Sequence, residues 1–189
     1  MPTITAEEIR DLDRVLRIPM SLDEWWELDE DIRAEWVDGV AIVSPHASGQ
    51  HQWIAQQLVQ AVLGPLDEIR AVVEVEVDVS PTKYRRPDFA VFDRGADLSN
   101  RQSTALVVGE VISPSSRTED RFRKAPDYLE AGIGQYWLVD PVERSVTVLI
   151  NAGESWDVAL ELDDGHPTGS VDVVGHGTVE LDVVAILDA

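Results

Sequence analysis

Cysteine is absent from the 189 residues, which excludes a disulfide framework, a thiolate metal site and a cysteine nucleophile. Basic residues are scarce: 15 Lys and Arg stand against 36 Asp and Glu, a formal net charge of −21. A surface that acidic is a poor general platform for nucleic acid or an anionic membrane. No apolar run approaches the roughly 20 residues of a membrane span. Histidine is limited to His46, His51, His166 and His176, with no close-spaced pair of the metal-site kind. The opening residues, MPTITAEEIRDLDR, lack the basic-then-apolar layout of a secretory signal. Hydrophobic residues make up 44% and charged residues 27%, an ordinary globular balance. The expectation is a soluble, cytoplasmic, single domain over residues 1–189, with no membrane partner.

What basic charge there is sits in one place. Residues 83–124 hold 9 of the 15 basic groups, seven of them in Lys83-Tyr84-Arg85-Arg86 and in Arg117, Arg121, Arg123 and Lys124. Scattered surface charge is the plain explanation. If an anionic partner binds, Arg86, Arg117, Arg121 and Arg123 are the candidate contacts.

Local signals give the order of elements. Thr5-x-x-Glu8 and Ser21-x-x-Glu24 have capping-box form and predict two short helices. Residues 35–43 read as a hairpin about Asp38-Gly39. Apolar residues at helical spacing from Trp53 to Leu63 predict a helix over 49–63. Residues 71–80 alternate as one strand, with Val73, Val75, Val77 and Val79 on one face and Glu74, Glu76 and Asp78 on a solvated one. Strands follow over 86–93 and 104–112, the second apolar on both faces. A helix is expected over 118–131, with Thr118 as N-cap, and strands over 134–140 and 145–150. The tail supplies edge strands. This is an α/β pattern, a mixed sheet with helices packed on it.

Two carboxylates stand out in the central strands. Asp88 follows Pro87 near the start of one strand, and Glu110 lies in the next. If those strands pair, the carboxylates sit side by side, a natural site for a hard divalent cation such as Mg²⁺. Lys124, in the following helix, is the nearest group able to position a water and stabilise charge on phosphate.

Pro87-Asp88 followed by Glu110 resembles the split signature of the PD-(D/E)XK nuclease superfamily. Five segments resemble, more closely, the Uma-type family of putative restriction endonucleases within it. They are Glu35-x-x-Asp38-Gly39 leading to Ser44-Pro45, the helix start at His51-Gln52, Pro87-Asp88, Glu110-Val111-x-Ser113-Pro114-Ser115-Ser116, and Asp120-x-x-x-Lys124 leading through Tyr128 to Gln135-Tyr136-Trp137-Leu138-Val139-Asp140-Pro141. The resemblance implies a restriction-endonuclease-like core of helix, three-stranded meander, helix and strand, over about residues 35–150. It implies Mg²⁺ (or Mn²⁺) on Asp88 and Glu110, a catalytic Lys124, and a further acidic residue at Glu35. The substrate implied is nucleic acid, DNA by preference, and the superfamily's habit of cutting as dimers suggests a homodimer. In the commonest superfamily pattern the lysine stands two residues after the glutamate, where this chain has Ile112. Gly109 replaces a β-branched residue and could loosen its strand, and Pro126 falls inside the predicted helix, where it either kinks it or begins a new one over 125–131.

Plainer readings stand beside these. Glu110 could be buried in a salt bridge to Arg86, Arg117 or Lys124, and Lys124 could be a solvated helix residue. His51 reads as a cap or surface residue. The six tryptophans read as core or interface rather than a base-stacking platform. Ser113, Ser115 and Ser116 have no partnered histidine and suggest a turn, not a serine hydrolase. The alternative to an enzyme is a catalytically silent module that keeps the nuclease fold for binding or assembly.

Overall fold

The computed structural model describes residues 15–29, 32–98, 105–173 and 175–188. The helix predicted from Thr5-x-x-Glu8 lies outside the described residues. Among the described residues no helix is long and apolar enough to cross a membrane.

The chain begins with β1 (Leu16–Pro19) and α1 (Leu22–Trp26), whose Ser21–Glu24 capping box forms in both directions. β2 (Ala34–Val37) and β3 (Val40–Val43) make the expected hairpin. Asp38 and Gly39 both take positive φ, +50° and +86°, the pairing a two-residue type I′ turn requires. Ser48 caps α2 (Gly49–Leu63) through its side chain. α2 buries Ile54, Leu58 and Val62 and leads into β4 (Ile69–Val73).

Residues 71–80 are not one strand. β4 ends at Val73, Glu74 turns into the left-handed region at φ +52°, and β5 (Val77–Ser80) resumes in a different sheet. The alternation persists on both sides of the break, but Val73 is exposed whereas Val77 and Val79 are buried. β6 (Lys83–Arg85) returns beside β5, and Arg86-Pro87 carries the chain back to β7 (Phe89–Asp93). β8 (Val107–Val111) follows, buried at every position.

After β8 the chain enters a π-helical turn (Glu119–Arg123) that runs into α3 (Lys124–Glu130). Thr118 is helical and makes no side-chain cap. The entry is held instead by Ser113 and Ser116, each hydroxyl accepting from the other's backbone N–H, at 3.1 and 3.2 Å. The Lys124 N–H donates to the Glu119 carbonyl, five residues back. Pro126 lies in the first turn of α3, where the missing N–H is tolerated next to the widened turn.

β9 (Gln135–Asp140), β10 (Ser145–Asn151) and β11 (Trp156–Leu162) extend the sheet. The last strands, β12 (Thr168–Val173) and β13 (Gly177–Asp182), form their own hairpin rather than edges of the main sheet, and α4 (Val183–Leu187) follows. That hairpin and α4 join α2 in covering one face.

Six strands lie in the order β11-β10-β9-β8-β7-β4, antiparallel except for β8 beside β9. A second sheet runs β1-β3-β2-β6-β5. The run α2, β4–β7–β8, α3, β9 is the restriction-endonuclease-like core expected from the sequence, with β5 and β6 inserted in the meander. One face of the main sheet packs Phe89, Val91, Val107, Trp137 and Val139 against α2. The other packs Ala90, Phe92, Val108 and Tyr136 against Tyr128 of α3. These faces follow from strand period two.

Gly109 does not loosen β8. A Cβ there would stand 1.9 Å from the Phe89 ring, which lies edge-on to Trp137 in the core. Glycine is what lets the ring cross the strand. Gly109→Ala should cost about 2–3 kcal/mol in urea unfolding, as overpacking does. Adding Phe89→Leu should restore part of that loss, and a harmless Gly109→Ala would show that the ring moves freely.

Candidate active site

The register of β7 and β8 creates the site. Phe89 lies opposite Gly109, so Asp88, one residue earlier, meets Glu110, one residue later, on the same face. The Asp88 N–H donates to the Gly109 carbonyl at 3.0 Å. Its side-chain Oδ2 accepts the Val111 N–H at 2.8 Å. Both carboxylates are buried, and both line a cavity of ≈ 270 Å³ walled by the loops after β3 and β8.

Each carboxylate has its own cation. Arg33 donates to Asp88 Oδ1. His51 Nε2 stands 2.9 Å from Asp88 Oδ2, close enough for an ion pair but not aligned as a hydrogen bond. Lys124 Nζ donates to Glu110 Oε1 at 2.8 Å, and the Tyr128 hydroxyl donates to the same oxygen at 2.9 Å. Lys124 also lies 3.1 Å from Glu35 and 3.4 Å from Asp120. Glu35 accepts the Arg86 N–H at 2.9 Å and Arg85 Nη1 at 2.9 Å. Asp88, Glu110, Lys124 and Glu35 are therefore gathered from the start of β7, from β8, from α3 and from β2 into one cluster, and Pro126 in the first turn of α3 does not keep Lys124 out of it.

The four arginines proposed as nucleic-acid contacts are each engaged by acids. Arg86 pairs with Glu76 at 3.2 Å. Arg117 and Arg121 share Asp140 and Glu143 at 2.8–2.9 Å. Arg123 lies 3.6 Å from Glu119. The basic segment of the sequence is thus largely neutralised where it folds.

Arg33 and His51 are the residues that sequence reasoning missed. Arg33 has no flanking motif. His51 reads from the sequence as a cap or surface residue, yet Ser48 supplies the cap and the ring turns toward Asp88. The only signal was that His51 falls in a segment resembling the family pattern.

The electrostatics separate the carboxylates. Burial pushes Asp88 up, but His51 and Arg33 outweigh it and hold the group well below its ordinary range. Burial dominates at Glu110 and raises it well above the ordinary value, against the pull of Lys124 and with the repulsion of Asp88. Asp120 is also raised, chiefly by burial. At Glu35 burial is overcome by Lys124 and Arg85, which hold it at about 2. Burial works against the charge of Lys124, yet Glu110 and Glu35 keep its pKa raised.

The Glu110–Lys124 ion pair accounts for a buried carboxylate by itself. It does not account for the cavity, whose lining carries Glu35, Asp88, Glu110, Glu119 and Asp120 against Arg33 and Lys124, with Arg85 behind the lining paired to Glu35 and Glu119. That excess of negative charge suits a cation. Among the described residues no three His, Asp or Glu side chains stand ready as a cage. Asp88 and Glu110 are the side-by-side pair that an ion such as Mg²⁺, which takes one or two carboxylates and keeps its waters, would use here.

The family profile of Uma2, described as putative restriction endonuclease, matches residues 20–179. No curated protein matches the chain. A solved structure of a putative nuclease belonging to DUF820 from Anabaena variabilis ATCC 29413 aligns with a TM-score of 0.68 at 22% identity, over 90% of this chain and 98% of that one. At that identity the shared property is the fold.

The opposed shifts predict opposed stability effects. The contribution of Glu35 is present above its ordinary pKa of 4.5 and is lost as pH falls through about 2. Glu35→Gln should cost about 1–3 kcal/mol at pH 7, as loss of a buried charged hydrogen bond does. Glu110, with its pKa raised, binds its proton more tightly folded than unfolded, so stability declines as pH rises above 4.5 toward that raised value. Glu110→Gln should leave stability within about 1 kcal/mol of the parent. Urea unfolding of both variants checks the ordering, and equal losses would refute it.

Proposed function

We propose that this chain, which belongs to the Uma2 family of putative restriction endonucleases, hydrolyses phosphodiester bonds of nucleic acid, DNA by preference, with Mg²⁺ or Mn²⁺ on Asp88 and Glu110. The observation that carries the reading is the pairing of Phe89 with Gly109, which sets those carboxylates side by side on an open, acid-rich cavity with Lys124 against Glu110. A bound divalent cation would supply Lewis acidity, polarising a phosphoryl oxygen and lowering the pKa of a coordinated water.

The chain's own residues do the rest. Arg33 holds Asp88 ionised and offers a guanidinium to a phosphate entering the cavity. Lys124 is kept charged by its three carboxylate neighbours and lies where it can orient a water and balance charge growing on phosphorus. Tyr128 fixes Glu110 through its hydroxyl. Glu35 positions Lys124, and is itself held by the Arg86 N–H and Arg85. A homodimer would let two such sites cut both strands.

Purified protein should nick supercoiled plasmid or cut single-stranded DNA with Mg²⁺ or Mn²⁺ and not with EDTA. Asp88→Asn should abolish the activity, and Lys124→Met should reduce it by about 10²–10³-fold, the usual effect of removing one transition-state donor. Undiminished cutting by Asp88→Asn would sink the assignment. A folded protein that neither cuts nor binds Mn²⁺ in calorimetry would point to a binding module instead.

A further inference from the structure

From Gly39 to Leu66 the sequence contains no Asp, Glu, Lys or Arg, in a chain that is 27% charged. This run builds the loop over the cleavage cavity and all of α2. The solvent side of α2 is amide and aromatic: Gln50, Gln52, Gln56 and Gln60 are exposed there, and Trp53 is 46% exposed. Trp53 thus departs from the core role read from sequence.

A second cavity, of ≈ 240 Å³, opens beside this face. Gln52, Gln56 and Val73 line it, and it shares His51 and Asp88 with the cleavage cavity. The His51–Asp88 pair is therefore a partition between two adjoining spaces. Glu74, at its left-handed φ, closes the far side and donates its N–H to the Asp88 carbonyl at 3.1 Å.

We propose that this second cavity is a nucleobase subsite. It takes an unpaired base of the nucleotide next to the scissile phosphate, with Gln52 and Gln56 as hydrogen-bonding groups, and the exposed Trp53, next to Gln52 on α2 and outside the cavity lining, offers a stacking surface to the neighbouring base. The inference rests on the nuclease reading above and deepens it. Gln52 and Gln56 are one turn apart and point the same way, and Trp53 is three residues before Gln56, beside it on the helix surface. A glutamine amide both donates and accepts, and suits the N6/N7 edge of adenine in particular. Aromatic stacking accepts any base. α2 itself brings no acid to this cavity, whose carboxylates are Asp88, paired with Arg33, and Glu74, so it repels a polyanion less than an acid-bearing helix would. The engaged arginines Arg86, Arg117 and Arg121 make a purely basic track a weaker choice.

The test is fluorescence anisotropy of labelled 12-nucleotide dA and dT oligomers, with Ca²⁺ in place of Mg²⁺, beside cleavage of the same oligomers with Mn²⁺. Trp53→Ala should weaken binding of both by about tenfold or more, the range seen for loss of one stacking partner. The pair Gln52→Ala/Gln56→Ala should weaken dA more than dT. Leu63→Ser, exposed at the far end of the same helix, should bind as the parent does. Circular dichroism confirms folding of each variant. If the parent binds and cuts while the Trp53 and glutamine variants do both equally well, the subsite is wrong and the nuclease reading stands. A parent that neither binds nor cuts removes both.

Discussion

One buried guanidinium ties the site together. Arg85, on β6 of the smaller sheet, donates to Glu35 of β2, to Glu119 of the π-helical turn and, through two nitrogens at 2.6 and 2.9 Å, to Asp127 of α3. Burial opposes its charge, and Glu35 and Asp127 more than restore it. A charge so placed tolerates no missing partner, because an unpaired buried ion is strongly destabilising. The three acids are therefore held in fixed positions, and with them the two sheets and the helix that bears Lys124. Glu35 passes this constraint on directly: one of its oxygens takes Arg85 and the other faces Lys124.

The cluster is layered. Around Arg85 acids and bases are matched in the interior. Nearer the cavity the match fails, and Glu110 and Asp120 are pushed toward their neutral forms. Matched charge gives a rigid frame, and the acids left over on the lining give the cavity its negative character. A single site can be both stable and receptive because these two functions fall on different residues.

Much of the frame was legible in the sequence. β7, β8 and β9 are apolar runs of strand length, the β2–β3 turn announces itself in Asp38-Gly39, and α2 has helical spacing. Glu110 could be named because charge interrupts an apolar strand, and Asp88 because Pro87-Asp88 resembles the family signature at the start of the strand beside it. The break at Glu74 could not, since neither glycine nor proline marks it and the alternation continues on both sides. Ion-pair partners were the least legible. Arg33 reaches Asp88 across 55 positions, and Arg117 and Arg121 find Asp140 and Glu143 only after β9 has turned. Charge counted along a segment says where cations are, not which of them remain available.

The π-helical turn before Lys124 sets a rotational phase. In an α-helix each residue advances about 100° around the axis, and a wide turn places one extra residue within its circuit. Everything after it faces a direction that the upstream residues would not give. Lys124 and Tyr128 lie four apart on α3, on one side of the helix, and both donate to Glu110 Oε1. They share that phase, so neither can turn to or from the glutamate without the other. Tightening Glu119–Arg123 to an ordinary turn would swing an ammonium and a phenol away together, leaving Glu110 bare in one movement.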